Sequence, residues 1–409
     1  MYKYGFSGLD RRIWYLGITR FIRSMGRVSS FIFLPLIFVL IYNVSYLVTG
    51  IFLGFATLIM SVVQYYSGKW TDNVGRRIFL ILIPFPVAAV YFLMFFFIFI
   101  KFNFILVVIV WYLSIIINAI QFPAIQASVA DITSEYERLS AYTLIRIMVN
   151  IGAAAGPLVG AIIAQFNFSY IFLFASISSL IEGIILLIYY KETYFPGNED
   201  KEKFSLGILK KDKFFLFFII IGLVLGFALR QNGPALTLYA FNIENLKIID
   251  IGYIYSLNGI LVIALQMPFL KLMSRYSTPV FWRGISSIIY ALGFFILAFS
   301  TNLILILLVM TIFTVGEDFM APTTQTIITT IAPSNLRGTY IGTYNFFTSF
   351  GRFFGSIIGL YYLYILRSIP YLFWVYIALI TAISGSFYFF LNSLFKKKEI
   401  NNEIKYVKP

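Results

Sequence analysis

The stretch GKWTDNVGRR, residues 68–77, lies between two long apolar runs of the chain. It contains four charged residues, Lys69, Asp72, Arg76 and Arg77, and two glycines, Gly68 and Gly75. Because glycine has no Cβ, Gly68 can let a helix approach its neighbour closely, and Gly75 can form a tight turn with positive φ. The stretch therefore predicts a charged loop between two membrane-crossing helices.

The composition of the whole chain is that of a membrane protein. Of its 409 residues, 60% are hydrophobic and 12% are charged, whereas a soluble domain carries about 25% charged residues. Apolar runs of about 20 residues recur, enough for a helix to cross the ~30 Å hydrocarbon layer. They lack the alternation that a transmembrane barrel needs. We therefore predict an all-α membrane protein with twelve transmembrane helices, near residues 13–42, 45–67, 78–100, 103–130, 139–165, 168–190, 214–242, 250–273, 281–300, 302–330, 338–363 and 370–394.

The distribution of Lys and Arg over the predicted loops sets the orientation of the chain. One side holds both termini and roughly 22 of the 31 basic residues, and the other holds Lys101, Lys247 and Arg367. Since basic loops stay in the cytoplasm, both termini are predicted to be cytoplasmic. This asymmetry and attraction to anionic lipids explain the net charge of +14 without a nucleic-acid partner. No cleavable signal peptide is expected, because the first apolar run is too long for one.

An internal repeat divides the chain into two halves. At an offset of 199 residues, Pro123 aligns with Pro322, Gln126 with Gln325, Arg138 with Arg337, and Gly152, Gly156 and Gly160 with Gly351, Gly355 and Gly359. Earlier in each half the offset is about 202–203, which pairs Gln64 with Gln266 and Arg27 with Arg230. We predict two pseudo-symmetric six-helix bundles. The predicted domains are a first bundle at 1–190, a cytoplasmic central loop at 191–213, a second bundle at 214–395 and a basic cytoplasmic tail at 396–409.

Gly68, Asp72, Gly75, Arg76 and Arg77 together resemble the motif of the major facilitator superfamily between its second and third helices. With the two repeats and the long central loop, the resemblance covers nearly the whole chain, although Asn73 stands where the family usually has a basic residue. It implies the major facilitator fold and a cytoplasmic gate. In this gate Asp72 accepts from the helix that starts near Gly338, and Arg76 pairs with Asp131. Alternatively, Arg76 and Arg77 are only topology anchors.

A ridge of small residues follows in the predicted helix 139–165. Its sequence GAAAGPLVG places Gly152, Gly156 and Gly160 on one helical face beside Pro157. Such faces let helices pack backbone to backbone. The Gly-Pro motif also resembles that of drug-type antiporters in the superfamily, which implies export by antiport. Two features depart from that type: Ser356 replaces the proline in the second half, and predicted helix 103–130 lacks the arginine that many proton-coupled drug antiporters carry.

Ionisable side chains inside the bilayer are costly and therefore mark candidate functional residues. The candidates are Arg20, Arg23, Arg27, Arg146, Glu182, Arg230, Glu317, Asp318 and Arg352. Arg27 and Arg230 lie at similar depths on helices that line the central cavity in this superfamily. The pair resembles the anion site of its organophosphate antiporters, since guanidinium groups suit carboxylate or phosphate. In the alternative, an internal acid neutralises each arginine.

Glu317 and Asp318, near the middle of predicted helix 302–330, are the candidate proton carriers. As neighbours on a helix they point ~100° apart, so we expect one to face the cavity and the other to pair with an arginine. A carboxylic acid in a low-dielectric environment favours its protonated form, which suits proton uptake and release. Asn118 aligns with Glu317 in the repeat and is a further candidate at the cavity, whereas Glu182 is expected to pair structurally.

The residue inventory argues against an enzyme. The sequence has no Cys, no His, no phosphate-binding Gly-Lys-Ser/Thr loop and no cluster suited to a metal or cofactor. We predict a secondary transporter working by alternating access, specifically a proton-coupled exporter of drug-like or hydrophobic compounds. The alternatives are an organic-anion or organophosphate carrier and a non-transporting receptor or scaffold on the same fold. We expect a monomer in the plasma membrane, with a small-molecule substrate and protons as its partners.

Overall fold

The computed structural model describes residues 8–74, 77–190, 212–333 and 336–400, and every regular element in these ranges is helical. The α-helices are α1 (Arg11–Leu36), α2 (Tyr46–Val74), α3 (Arg77–Leu82), α4 (Pro84–Phe99), α5 (Phe104–Ile132), α6 (Glu135–Ala164), α7 (Tyr170–Tyr189), α8 (Lys213–Leu229), α9 (Pro234–Leu238), α10 (Ile248–Arg275), α11 (Pro279–Leu297), α12 (Leu303–Ile331), α13 (Arg337–Ile365) and α14 (Pro370–Ile400). Eleven helical segments of the described chain are long and apolar enough to cross a membrane. Helix α13, with 29 residues, is a twelfth long helix. The predicted all-α membrane fold is confirmed.

The helix that carries the charged stretch is longer than predicted. Helix α2 continues to Val74, so Gly68 and Asp72 lie in its last turns, and the prediction of a loop from Gly68 onward is wrong. The physical reason is that these residues include no proline, and polar side chains can extend a helix beyond the membrane boundary into water. Gly75 and Arg76 lie outside the described residues, as does the side chain of Asp72. The gate contacts assigned to them stay predictions.

Two predicted helices are interrupted at prolines. The predicted helix 78–100 divides at Ile83, and the predicted helix 214–242 divides after Leu229 into a 3₁₀ turn and α9. Pro84 and Pro234 are the first residues of α4 and α9, where the missing N–H of proline costs no helical hydrogen bond. The interruption after Leu229 places Arg230 in the 3₁₀ turn instead of within a continuous helix.

The internal repeat is visible in the backbone where the first helix of each half ends. A π-helical turn covers Ile37–Ile41, and a second covers Tyr239–Ile243 at the offset seen in the sequence. Each turn is followed by an asparagine with positive φ, Asn43 at 51° and Asn245 at 53°. Asparagine adopts this left-handed conformation more readily than most residues. The two halves therefore share the same helix-terminating structure.

The chain forms two compact units. The N-terminal unit comprises Met1–Val44, Ile59–Asn198 and Lys247–Ile260, and the C-terminal unit comprises Ser45–Leu58, Glu199–Leu246 and Leu261–Pro409. In the N-terminal unit, α1 packs against α6 and α7 around a core that includes Leu16 and Val129. In the C-terminal unit, α8 packs against α13 and α14 around a core that includes Phe215 and Ile327. The first helix of each half thus has the equivalent position in its own unit.

Glycines of α6 and α13 form the contacts with α1 and α8. A Cβ atom added at Gly156 would lie 2.7 Å from the carbonyl oxygen of Met25, and one added at Gly355 would lie 2.6 Å from that of Phe227. Because these neighbours are backbone atoms, they have little freedom to move aside. The glycines therefore allow the helices of each unit to pack backbone to backbone.

Candidate functional site

A cavity of about 500 Å³ lies within the N-terminal unit, a size typical of small-molecule sites. Helices α1, α2, α5 and α6 supply its described lining. The polar residues of that lining are Arg20, Arg27, Gln64, Asn118, Gln121, Gln126, Tyr142 and Arg146. No described lining residue is Asp or Glu, so the lining carries three guanidinium groups and no carboxylate.

Behind this lining, the fully buried Glu182 of α7 pairs with two arginines of α1. Its Oε1 lies 3.2 Å from Nη1 of Arg20, and its Oε2 lies 3.1 Å from Nη1 of Arg23. Gln121 donates to the same carboxylate at 3.3 Å, and Arg23 also donates to the side-chain oxygen of Asn118. Two guanidinium charges thus share one carboxylate, and the group retains a net positive charge.

Arg27 is exposed and lines the cavity on the same helix as these arginines. It makes no ion pair with the part of the chain that the structure describes, because Glu182 binds Arg20 and Arg23 instead. The alternative in which an internal acid neutralises Arg27 is therefore not found among the described residues. A guanidinium that faces an open cavity without a carboxylate is available to bind an anionic ligand.

The C-terminal unit contains a cavity of about 550 Å³. Helices α8, α11, α12 and α13 and the 3₁₀ turn after α8 supply its described lining. Its polar residues are Arg230, Asn232, Arg283, Thr324, Gln325, Tyr344, Asn345, Thr348 and Arg352. This described lining, like the first, has three arginines and neither Asp nor Glu.

Hydroxyl groups of α13 hold two of these arginines. Nε of Arg230 donates to Oγ of Ser356 at 2.8 Å, and Nη2 of Arg352 donates to Oγ1 of Thr348 at 3.4 Å. Ser356 occupies the repeat position that Pro157 has in the first half. The second half therefore gains, in place of proline, a hydroxyl group that orients Arg230.

Arg283 is absent from the candidates derived from the sequence, because it stands at the start of the predicted helix 281–300 and counts there among the basic residues of the cytoplasmic side. In the structure α11 begins at Pro279, and the side chain of Thr278 accepts from the backbone N–H of Phe281. Arg283 consequently lies in the second turn of α11, where its side chain is 3% exposed and lines the cavity. The signal that could have found it is the Thr-Pro pair, because threonine is a preferred N-cap and proline a preferred first residue of a helix.

Glu317 and Asp318 are not part of the described lining of this cavity. Glu317 is half-buried, and Asp318 is 4% exposed. The contribution of α12 to this lining begins one turn later, at Met320, and the proton-carrying role of the two acids stays a prediction. Asn118, their counterpart in the first half, does line the cavity of its own unit.

Two residues of the predicted cytoplasmic gate, Arg77 and Asp131, have described side chains, and both are exposed. Arg77 is the first residue of α3, and Asp131 lies in the last turn of α5. In the described ranges, no group of His, Cys, Asp and Glu side chains is arranged to hold a metal ion.

A family model described as Major Facilitator Superfamily matches residues 16–356. The chain belongs to this superfamily. It is 26% identical over 302 residues to multidrug resistance protein 1 of Bacillus subtilis, covering 73% of this chain and 76% of that protein. It is 24% identical over 325 residues to a Na(+), Li(+), K(+)/H(+) antiporter of Planococcus maritimus, covering 70% and 73%. A solved peptide transporter in complex with sulfate shares the fold, with a TM-score of 0.80, 14% identity and coverage of 98% of this chain and 97% of that one.

Membership settles two of the predictions made from the sequence. The chain has the major facilitator fold, and it is a membrane transporter related to antiporters and multidrug resistance proteins.

Proposed function

We propose that this superfamily member is a secondary transporter of small organic anions. One observation carries the proposal: in each unit the described cavity lining has three arginines and no carboxylate. Guanidinium groups bind carboxylates and phosphates through paired N–H···O bonds. Amide groups such as those of Asn118, Gln121 and Asn345 can then orient the rest of the substrate.

The same electrostatics disfavour a cationic substrate. A unit positive charge held 6 Å from one guanidinium is repelled by about 3 kcal/mol at an effective dielectric constant of about 20. Three arginines line each cavity and no described lining residue is Asp or Glu, while Glu182, behind the lining, pairs with Arg20. An anion instead gains a similar energy from each arginine. We therefore place anion binding ahead of the export of cationic drugs.

Arg20 would connect the substrate to the buried charges of the N-terminal unit. Its side chain lines the cavity and also contacts Glu182, so a bound anion would compete with Glu182 for this guanidinium. Glu182 would keep its second partner, Arg23. In this proposal, the carrier exposes the bound anion alternately to the two sides of the membrane, and the cytoplasmic gate formed by Asp72, Arg76 and Asp131 opens on the inward side.

The second candidate function is proton-coupled export of drug-like compounds. It is favoured by the similarity to multidrug resistance protein 1 and by the Gly156-Pro157 pair. In that case Glu317 or Asp318 would carry the proton. The two candidates differ in the substrate charge that they require and in the residues on which transport depends.

Counterflow in proteoliposomes separates the two candidates. Organic carboxylates, an organic phosphate and a cationic dye are tested with and without an imposed proton gradient. The variants are Arg27→Gln/Arg230→Gln, Glu317→Gln/Asp318→Asn and, as a control, Arg275→Gln, which removes an exposed charge at the end of α10. Anion exchange that is lost only in the arginine variant supports our proposal. Dye transport that needs the acids and survives loss of the arginines contradicts it.

A further inference from the structure

Arg283 is the most deeply buried of the three arginines at the cavity of the C-terminal unit. Its side chain is 3% exposed, whereas Arg230 and Arg352 are half-buried. Its contacts are aromatic: Nη2 donates to the hydroxyl group of Tyr344 at 3.4 Å, and the guanidinium lies 5.4 Å from the ring centroid of Tyr388. The guanidinium is therefore removed from bulk water without meeting a carboxylate in the described structure.

Two nitrogen atoms of the Arg283 guanidinium can still donate hydrogen bonds to a ligand. Nε and Nη1 of Arg283 are buried and have no hydrogen-bond partner in the described structure. A buried charge without a counter-charge is unfavourable, and one long hydrogen bond with a cation–π contact offsets little of that cost. A bound anion would supply the missing acceptors.

The position of Arg283 fixes where that anion would lie. Arg283, Arg230 and Arg352 all line this one cavity. Tyr344 stacks on Phe218, with ring centroids 5.0 Å apart, which holds the hydroxyl group that Arg283 contacts. The aromatic support thus orients Arg283 in advance, and preorganised donors bind an anion without the entropy cost of ordering them.

We propose that Arg283, with Arg230 and Arg352, forms a subsite for the phosphate group of the substrate, a dianionic tetrahedral oxyanion. A carboxylate offers two oxygens and one charge, whereas a phosphate monoester offers three terminal oxygens and close to two charges. Three arginines that line one cavity match the second better. The proposal rests on the proposed function, which it narrows to anions that carry phosphate, and it gives Arg283 the role of a specificity-determining residue.

Binding to the purified full-length protein in detergent tests the subsite. Inorganic phosphate, glycerol phosphate and acetate are titrated by calorimetry into wild type, Arg283→Gln, Arg283→Lys and Arg275→Gln. We expect both phosphates to bind wild type and Arg275→Gln, and acetate to bind about tenfold more weakly or worse. Tighter binding of glycerol phosphate than of inorganic phosphate identifies an organic phosphate as the ligand, and the reverse order identifies the free ion.

Arg283→Gln is expected to weaken phosphate binding about tenfold or more and to leave acetate binding nearly unchanged. Arg283→Lys keeps the charge and the buried stem but not the planar fork, so it is expected to lose most of the phosphate preference. This variant keeps the test decisive if Arg283→Gln does not fold. Phosphate binding that is equal in wild type and both Arg283 variants overturns the subsite, as does wild type that binds no phosphate.

Failure of the subsite is distinguishable from failure of the proposed function. If counterflow shows exchange of organic carboxylates while phosphate binding does not depend on Arg283, the proposal of anion transport is supported and the proposal of the phosphate subsite is contradicted. If phosphate binding depends on Arg283 and wild type exchanges no anion, the phosphate subsite is supported and the proposal of anion transport is contradicted.

Discussion

At the scale of single residues, Glu182 organises the charges of the N-terminal unit. It is fully buried, and it pairs with Arg20 and with the equally buried Arg23. The desolvation of such a pair is compensated only while both signs of charge are present. Glu182 therefore matters for the stability of the unit, whatever the cavity binds.

Glu182→Gln is predicted to destabilise the protein strongly. The variant leaves the buried Arg23 without its carboxylate, and breaking a buried ion pair in this way costs about 3–5 kcal/mol. Thermal unfolding of the detergent-solubilised protein measures the effect. The control is Glu137→Gln, which changes an exposed acid in the capping box of α6, where glutamine can replace glutamate. Equal melting temperatures for the two variants would contradict the role of Glu182.

The sequence alone indicated the roles of some of these residues but not of others. It identified Glu182 as structural and Arg27, Arg230 and Asn118 as candidates at a cavity, because charged and amide groups in apolar helices are rare. It could not assign Arg20 and Arg23 to one carboxylate, because that choice depends on how α1 packs against α7. It missed Arg283 because a basic residue at the start of the predicted helix 281–300 is equally typical of a cytoplasmic membrane boundary.

At the scale of helices, the glycines of α6 and α13 set how closely α1 and α8 approach. The sequence predicted these ridges well, because four-residue spacing places glycines on one face whatever the tertiary structure. It did not predict the interruptions at Pro84 and Pro234, since a proline in an apolar run is compatible with a kink as well as with a new helix start.

Gly351→Ala and Gly342→Ala, both in α13, are predicted to have opposite effects. An added Cβ at Gly351 would collide with the carbonyl group of Leu223 in α8, so the helices must separate, at a cost of about 1–3 kcal/mol. An added Cβ at Gly342 meets nothing within 4 Å, so alanine should stabilise the helix by about 0.5–1 kcal/mol. Melting temperatures of the two variants measure the difference. A Gly351→Ala variant as stable as wild type would show that α8 and α13 can separate freely.

At the scale of the whole molecule, the basic residues of the loops predict which face of the protein is cytoplasmic. Helix α10 offers a matched pair of positions for testing this, because exposed lysines mark both of its ends, Lys247 just before it and Lys271 in its last turns. With 28 residues the helix is about 42 Å long, enough to reach from one side of the membrane to the other.

Single-cysteine variants at these positions should report opposite sides of the membrane. The natural sequence has no cysteine, so Lys247→Cys and Lys271→Cys each introduce one reactive thiol. A membrane-impermeant maleimide is expected to label Lys247→Cys in intact cells and Lys271→Cys only after the membrane is permeabilised. The reverse labelling pattern would mean that the termini lie outside the cell.

The arginines at the two cavities also bear on how the carrier senses voltage. Their charges lie in long helical segments, and neither described lining contains Asp or Glu, although Glu182 pairs with Arg20 behind the first lining. A unit charge that moves across the full potential changes free energy by about 2.3 kcal/mol per 100 mV. The empty carrier, with its cationic cavities, would therefore reorient at a voltage-dependent rate, whereas an anion-loaded carrier would be closer to neutral and less sensitive. The membrane potential would then control how fast the empty carrier returns for another substrate molecule.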